Sequence, residues 1–315
     1  MSTPTRDDID AAAGRIRGQV RRTPVLATSA DELGLDVDAE LVLKLEQLQV
    51  TGSFKPRGAF NLLLSRDDDG RGVVAASGGN FGLAVAHAAT TLGVQAAIFV
   101  PATSPAEKID RLRNLGADVH VIDGFYDAAL AASREHATAT DAFQAHAYDQ
   151  FEVVAGQGTC GAEFEDQTGQ LDTVLVAVGG GGLIGGVASW FEPTGTRVIG
   201  IETEGCPTLH AAHRAGEPVQ VEVGGLCASS LGARQIGDIC WAVSEQGAIA
   251  DSFLVSDDDV RIAQQRLWDR CRLVAEPGGA AALAALTSGT YVPAPGERVG
   301  VIVCGANTDP AAVVV

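Results

Sequence analysis

Lysine is almost missing from this chain. Its 315 residues include 22 basic side chains, and only Lys44, Lys55 and Lys108 among them are lysines. Acidic residues number 40, giving a formal charge of −18. A nucleic-acid protein needs a basic face for phosphates, and an anionic membrane makes the same demand, so this balance speaks against both partners. It reads instead as a soluble, self-repelling surface. The six cysteines (160, 206, 227, 240, 271 and 304) contain no C-x-x-C pair, which removes the zinc-site and dithiol redox readings. A chain of this length buries a core without disulfide staples, so reduced thiols in a cytoplasm are expected. Met1 to Asp10 is polar and has no apolar segment, so no secretory signal is expected. The apolar stretch from Val174 to Trp190 is interrupted by Gly179 to Gly182 and reads as strand, loop and helix, not as a membrane span.

What is present is an alternation of two patterns. Short β-branched runs at 41–45, 72–76, 95–100, 118–121, 173–178, 197–201 and 299–303 predict buried parallel strands. Alanine-rich stretches at 11–20, 82–92, 105–115, 126–136, 159–168, 183–191, 257–272 and 279–287 predict helices. Ser104 is expected to cap a helix with Pro105 at its first position, and Gly116 to close it. Ser256 with Asp259 three residues on predicts a capping box. The result is an α/β fold of three layers, α/β/α, with mostly parallel sheets. One strand–helix set covers 67–146 and another runs from 147 onward, with no long linker and no internal repeat. Ligands of such folds bind in loops at the carboxyl ends of strands.

The unusual residues lie in those loops. Lys55 sits in Thr51-Gly52-Ser53-Phe54-Lys55-Pro56-Arg57-Gly58-Ala59, between an aromatic and a proline with glycines on both sides. Partial desolvation there would lower its pKa and free a nucleophilic lone pair. The strand ending at Val178 runs straight into Gly179, Gly180, Gly181 and Gly182, then Leu183 and a helix. Four residues without side chains let backbone amides converge on an anion, with phosphate the natural occupant. Gly180, Gly182 and Gly185 also satisfy G-x-G-x-x-G, with Glu202 about twenty residues on, so an NAD-dependent dehydrogenase is a rival reading. No lysine follows the loop as a P-loop requires. A third loop, Ser77-Gly78-Gly79-Asn80-Phe81-Gly82, opens a helix and suits a small anion such as a carboxylate. Cys304-Gly305-Ala306-Asn307-Thr308-Asp309 ends the last strand. An amine, two anion cradles and a polar strand end are the parts of a pyridoxal phosphate site.

Six segments in register carry a resemblance. They are Ser53 to Ala59, Ser77-Gly78-Gly79-Asn80, Ala155-Gly156-Gln157-Gly158-Thr159, Gly179 to Gly182, Glu276-Pro277 and Cys304 to Asn307. In this order they resemble the pyridoxal-phosphate-dependent threonine and serine dehydratases and serine racemases, of the tryptophan-synthase-β-like fold (fold type II). The resemblance implies a large cofactor-binding domain from 1–66 and 147–315, a small mobile domain from 67–146, and a homodimer. It implies that Lys55 carries the cofactor on its amine and later moves the Cα proton, and that Phe54 and the Gly224-Gly225 segment flank the ring. Asn80 would bond the ring hydroxyl, Gly179 to Leu183 the phosphate, and Cys304 would face the ring nitrogen. Ser77, Gly78, Gly79, Asn80 and Phe81 would bind the substrate carboxylate. Glu276 lies near the ring in such enzymes.

Departures from the family pattern sharpen the expectation. Gly78 stands where serine racemases have a serine that serves as the second acid–base group, so elimination is expected to dominate over inversion. The family's cation site would use Glu202, yet a later acidic ligand is Thr208 here, so no metal is expected. The chain ends soon after Asp309, and no regulatory domain is expected. The expected reaction is β-elimination from L-threonine, L-serine or a bulkier β-hydroxy amino acid to a 2-oxo acid and ammonia. Racemisation, β-replacement and a non-catalytic cofactor-binding protein are the alternatives. Tyr148 is a candidate for the substrate pocket. His210 and His213 read as a solvated helix face, Asp67-Asp68-Asp69 and Asp257-Asp258-Asp259 as turn and helix-start charge, and Cys160 and Cys271 as helix-core thiols.

Overall fold

A computed structural model describes residues 2–66 and 70–313. In chain order its strands are β1 (Val25–Ser29), β2 (Ala39–Leu45), β3 (Val73–Ala76), β4 (Ala96–Pro101), β5 (Asp118–Ile122), β6 (Phe143–Gln144), β7 (Thr173–Ala177), β8 (Arg197–Thr203), β9 (Ile249–Val255) and β10 (Glu297–Val303). The helices are α1 (Arg6–Ile16), α2 (Pro56–Leu64), α3 (Asn80–Leu92), α4 (Ala106–Asn114), α5 (Tyr126–Thr140) and α6 (Phe151–Thr168). They continue with α7 (Gly182–Phe191), α8 (Thr208–Ala215), α9 (Ala228–Leu231), α10 (Asp238–Glu245), α11 (Asp257–Cys271) and α12 (Pro277–Thr287). Asp67-Asp68-Asp69 lies outside the described residues.

The strands form two sheets, in the orders β1-β2-β10-β7-β8-β9 and β5-β4-β3-β6. Every pairing is parallel except β1 with β2. The continuous Val, Ile and Leu runs of β2, β7, β8 and β10 are buried because helices cover both faces, and they form one apolar core. Gly300 interrupts the run in β10 because the Phe164 ring fills the space its side chain would take, 2.7 Å from where a Cβ would stand.

Several expectations are corrected. β1, β6 and β9 were not foreseen: β1 is an antiparallel edge strand, β6 is two residues long, and β9 carries polar residues. α4 begins at Ala106 with Pro105 at the cap and no side-chain bond from Ser104. Gly116 does follow the helix end, at φ +82°. The Ser256 capping box forms, and Thr5 with Asp8 forms a second one. The helices α2 and α10 have no counterpart in the sequence expectation, and α6 starts at Phe151 and not at 159. Gly156 and Gly158 are both inside this helix, and both are bare because neighbouring helices approach too closely for side chains. A Cβ at Gly156 would lie 2.6 Å from the Arg57 carbonyl, and one at Gly158 would lie 2.9 Å from the Gly186 carbonyl.

That close approach of α2, α6 and α7 encloses a cluster of charges. The fully buried Arg57 guanidinium bonds both Glu46 oxygens, at 2.8 and 2.7 Å, and Glu163 at 3.0 Å. Lys44, also fully buried, reaches Glu163 at 2.5 Å, the Thr23 carbonyl at 2.8 Å and Gln167 at 2.7 Å. Two cations face two anions, so the cluster is neutral and each partner's removal strands a charge. We predict that Arg57→Met destabilises the protein by about 3–5 kcal/mol, read from the shift of a urea unfolding midpoint. A loss below about 1 kcal/mol would show that the cluster does not hold these helices together.

Candidate active site

Lys55 is delivered by the loop after β2, and that loop is stitched to the one after β10. Ser53 pairs with Gly305 in an antiparallel bridge, the Phe54 N–H donates to the Cys304 carbonyl at 3.1 Å, and the Ala306 N–H donates to the Gly52 carbonyl at 2.8 Å. Lys55 is the cap residue of α2, whose first helical position is Pro56. Its half-buried side chain donates to the Ala147 carbonyl at 2.8 Å, and Nζ lies 4.9 Å from the centre of the Phe54 ring and 5.7 Å from that of Phe81. Burial pulls its pKa down to about 8, although Cys304 and Glu276 pull the other way.

The glycine loop lies between β7 and α7. Only Gly181, at φ +89°, needs glycine for its backbone angle. The other three need it for space: a Cβ would strike the backbone of Leu231 at Gly179, the ring of Tyr148 at Gly180 and the backbone of Tyr148 at Gly182. Among the described residues, no protein group accepts from the amides of Gly179 to Ile184. Six consecutive free N–H groups at the start of an apolar helix form an anion site. The loop between β3 and α3 repeats this on a smaller scale. Gly79 N–H bonds Ser77 Oγ at 3.3 Å, while the amides of Gly78, Asn80, Phe81 and Gly82 have no protein partner among the described residues. Gly82 is required because the Ser77 carbonyl occupies the place of its side chain.

The second cradle and the loop of Lys55 are bound together at the end of β10. Asn80 Nδ2 donates to Glu276 Oε1 at 2.6 Å and Asn307 Nδ2 donates to Asn80 Oδ1 at 2.7 Å. Glu276 is buried, and burial raises its pKa to about 7 against the opposing bond from Asn80 and the charges of Lys108, Arg111 and Lys55. Gly305 has no side chain because the Glu276 carboxylate stands in its place. The buried Cys304 thiol donates to the Gly278 carbonyl at 3.4 Å, and burial holds its pKa well above the ordinary thiol range. Cys304 is thus neutral beside Lys55.

Sequence reasoning missed α9, four residues long and too short to show periodicity. It nonetheless touches three loops: Leu231 packs on Gly179, Ser230 Oγ accepts from the Gly278 N–H at 3.2 Å, and the Ser229 carbonyl lies nearest Gly79. Gly225, just before it, sits at φ +75° with its neighbour's N–H held by Asp257 at 2.8 Å. Tyr148 lies over the glycine loop with its ring 4.6 Å from that of His146, and burial lifts its pKa to about 12. Glu202, the residue a dinucleotide reading needs for a ribose, is otherwise engaged. Fully buried at the end of β8, it accepts from the Leu209 and His210 amides at 2.8 and 2.7 Å and from Thr208 Oγ1 at 3.2 Å, so it caps α8. That removes the structural basis for the dehydrogenase. His213 is exposed and bonds Ser244 Oγ at 2.7 Å, and among the described residues no three metal-ligating side chains gather.

An amine with a pKa near neutrality, a six-amide anion site and a second amide cradle suit a phosphorylated aldehyde paired with an amino acid. Pyridoxal phosphate fits this set: Lys55 for the aldehyde, Gly179 to Leu183 for the phosphate, and the half-buried Asn80 with the buried Glu276 and Cys304 for the ring edge.

Comparison with known proteins agrees. The family described as pyridoxal-phosphate dependent enzyme matches residues 16–305. The L-threonine ammonia-lyase of Thermotoga maritima is 35% identical over 309 residues, covering 97% of this chain and 76% of its own. The phenylserine dehydratase of Ralstonia pickettii is 36% identical over 319 residues, covering 99% and 96%. The solved structure of maize serine racemase superposes with a TM-score of 0.92 at 29% identity, covering 99% of this chain and 96% of that one.

The glycine geometry makes a prediction. Gly82→Ala drives a methyl into the Ser77 carbonyl and should lower the thermal midpoint of the protein by several degrees. Gly79→Ala, whose nearest neighbour lies at 3.8 Å, should leave it nearly unchanged. Equal shifts in differential scanning fluorimetry would refute the reading of this loop.

Proposed function

Because the chain belongs to the family of pyridoxal-phosphate dependent enzymes, we propose that it eliminates water from a β-hydroxy α-amino acid and releases a 2-oxo acid and ammonia. The observation that carries this reading is the position of Lys55: its amine, pulled to about 8, sits on the carbonyl of Ala147, next to the Tyr148 that lies against the glycine loop, and 5.7 Å from the ring of Phe81 in the second cradle. Bound pyridoxal phosphate supplies the electron sink that acidifies the substrate's Cα–H. Lys55 would hold the cofactor through its amine and, once the substrate's own amino group has displaced it, its freed Nζ would be the base that takes the Cα proton, for which a pKa near working pH is suited. Gly179 to Leu183 bind the phosphate, Phe54 and Gly225 flank the ring, and Asn80, Glu276 and Cys304 line its edge. A neutral thiol at Cys304 leaves the ring nitrogen uncharged, which favours an elimination that needs less electron withdrawal. Ser77 to Phe81 hold the substrate carboxylate, and Tyr148 borders the pocket. Position 78 offers no side chain to return a proton to the opposite face, so elimination wins over inversion.

Relatives named for L-threonine and phenylserine support a β-hydroxy amino acid as the substrate class. No helix among the described residues is long and apolar enough to cross a membrane, and all six cysteines are free. Free thiols support a cytoplasmic enzyme. The resemblance to dehydratases and racemases supports a homodimer with 67–146 as the smaller, moving domain.

Two experiments test this reading. Lys55→Ala should abolish both the visible absorbance of the purified protein and ammonia release from L-threonine, L-serine and 3-phenylserine; turnover by this variant would overturn the scheme. Capture of the cofactor by the stripped protein needs the neutral amine. With a pKa of about 8, roughly one tenth of Lys55 is neutral at pH 7. The capture rate should therefore rise about tenfold per pH unit below 8 and level off above it. Stopped-flow absorbance between pH 6 and 9 checks this, and a rate still climbing at pH 9 would contradict it.

A further inference from the structure

Asn80 lies where three loops converge, and its amide has no freedom to turn. The constraint starts on α4, in the unit built on the four-stranded sheet. Arg111 Nη2 lies 2.8 Å from the side chain of Asn307, and a guanidinium has no acceptor capacity, so the Asn307 atom facing it must be Oδ1. Asn307 Nδ2 therefore faces the other way, where it donates to the Thr51 carbonyl at 2.9 Å and to Asn80 at 2.7 Å. The Asn80 atom that receives this bond must be Oδ1. Its Nδ2 is left to donate, and one of its two hydrogens goes to Glu276 at 2.6 Å. Every bond from Arg111 to Glu276 runs in one direction, and the cation at one end and the carboxylate at the other both demand it. The second hydrogen of Asn80 Nδ2 has no partner among the described residues.

The surroundings are shaped for this run. Gly52 sits at φ +80°, and a Cβ there would lie 2.8 Å from Asn307 Oδ1, so the loop that carries Lys55 is moulded around the Asn307 amide. Gly305 is bare because Glu276 fills its place. Asn307 has both of its hydrogens engaged and its oxygen held by Arg111.

We propose that Arg111 and Asn307 are positioning residues, which hold the Asn80 amide with its oxygen committed to Asn307 and one N–H reserved as a donor to the cofactor ring. This rests on the proposed site, in which Asn80 meets the ring. The free position on Nδ2 is then a donor, and the amide cannot turn to put its oxygen there. Arg111 and Asn80 both belong to the unit built on the four-stranded sheet, whereas Asn307 follows the last strand of the six-stranded one, so the orientation of Asn80 is set across the two units.

The test uses the holoenzyme and its stripped form, with two readouts independent of turnover: the dissociation constant for pyridoxal phosphate and the visible absorption band of the bound cofactor. Asn307→Asp keeps the size of the side chain and still accepts from Arg111, but it cannot donate, so the Asn80 amide turns round. It should weaken cofactor binding about tenfold and change the visible band. Arg111→Met should weaken binding about threefold with an unchanged melting midpoint of the stripped protein, and Arg111→Lys, which keeps a donor, should bind more tightly than Arg111→Met. In an Asn80→Ala background, Asn307→Asp should add less than twofold, because its effect passes through Asn80. Wild-type binding and spectrum in Asn307→Asp, or an equal loss with and without Asn80, would overturn the relay while leaving the site reading intact. If Asn80→Ala itself binds the cofactor normally, both the relay and the assignment of Asn80 to the ring fall.

Discussion

The site depends on a short piece of backbone pairing between Ser53 and Gly305. Lys55 follows an early strand, whereas Glu276, Cys304 and Asn307 come from the last part of the chain. The bridge, with the bonds from Phe54 to Cys304 and from Ala306 to Gly52, sets the lysine's loop against them in one register. Backbone bonds hold position more firmly than side-chain contacts do, because no rotamer freedom remains. The bridge also demands glycine at 305, where the Glu276 carboxylate lies directly against the main chain. Moving that carboxylate would move Asn80, and with it the mouth of the second cradle.

Electrostatics act in two separate ways on either side of Pro56. Arg57 is surrounded by carboxylates, which more than offset its burial and keep its charge secure. Lys55, two residues earlier, has only a carbonyl as a hydrogen-bond partner, and burial dominates its titration. The helix α2 therefore begins with a cation that can lose its proton next to one that cannot. The first is suited to chemistry, and the second locks α2 to α6 and to the strand carrying Lys44.

Much of this was legible in the amino-acid sequence wherever the signal is local. Strand, glycine run and helix follow one another at 173–191, and the structure differs there only at the boundaries. The setting of Lys55, between an aromatic and a proline, correctly marked it as unusual. What was not legible depends on contacts between distant segments. No local signal tells that the Arg57 and Gly186 carbonyls press against Gly156 and Gly158 inside α6. Asn307 was visible as part of a motif, but nothing local tells that Arg111 reaches it from α4. Glu202 matched a ribose-binding spacing, yet the amides of α8 had already claimed its carboxylate, a fact that spacing along the chain does not contain. The antiparallel β1 escaped notice because its half-buried pattern differs from the apolar runs of the parallel strands.

The place of β10 has a consequence for how the protein is made. It lies between β2 and β7, so one of the last strands to be synthesised divides two that were finished long before. Until β10 leaves the ribosome, β2 and β7 each present an unpaired edge, of the kind that invites pairing with other chains. The loop holding Lys55 lacks its backbone bridge to Gly305 during that time, and Glu276 and Asn307 are not yet beside it. With the proposed site, cofactor capture would wait for β10 and Gly305, and a chain that stops before them would keep those strand edges exposed.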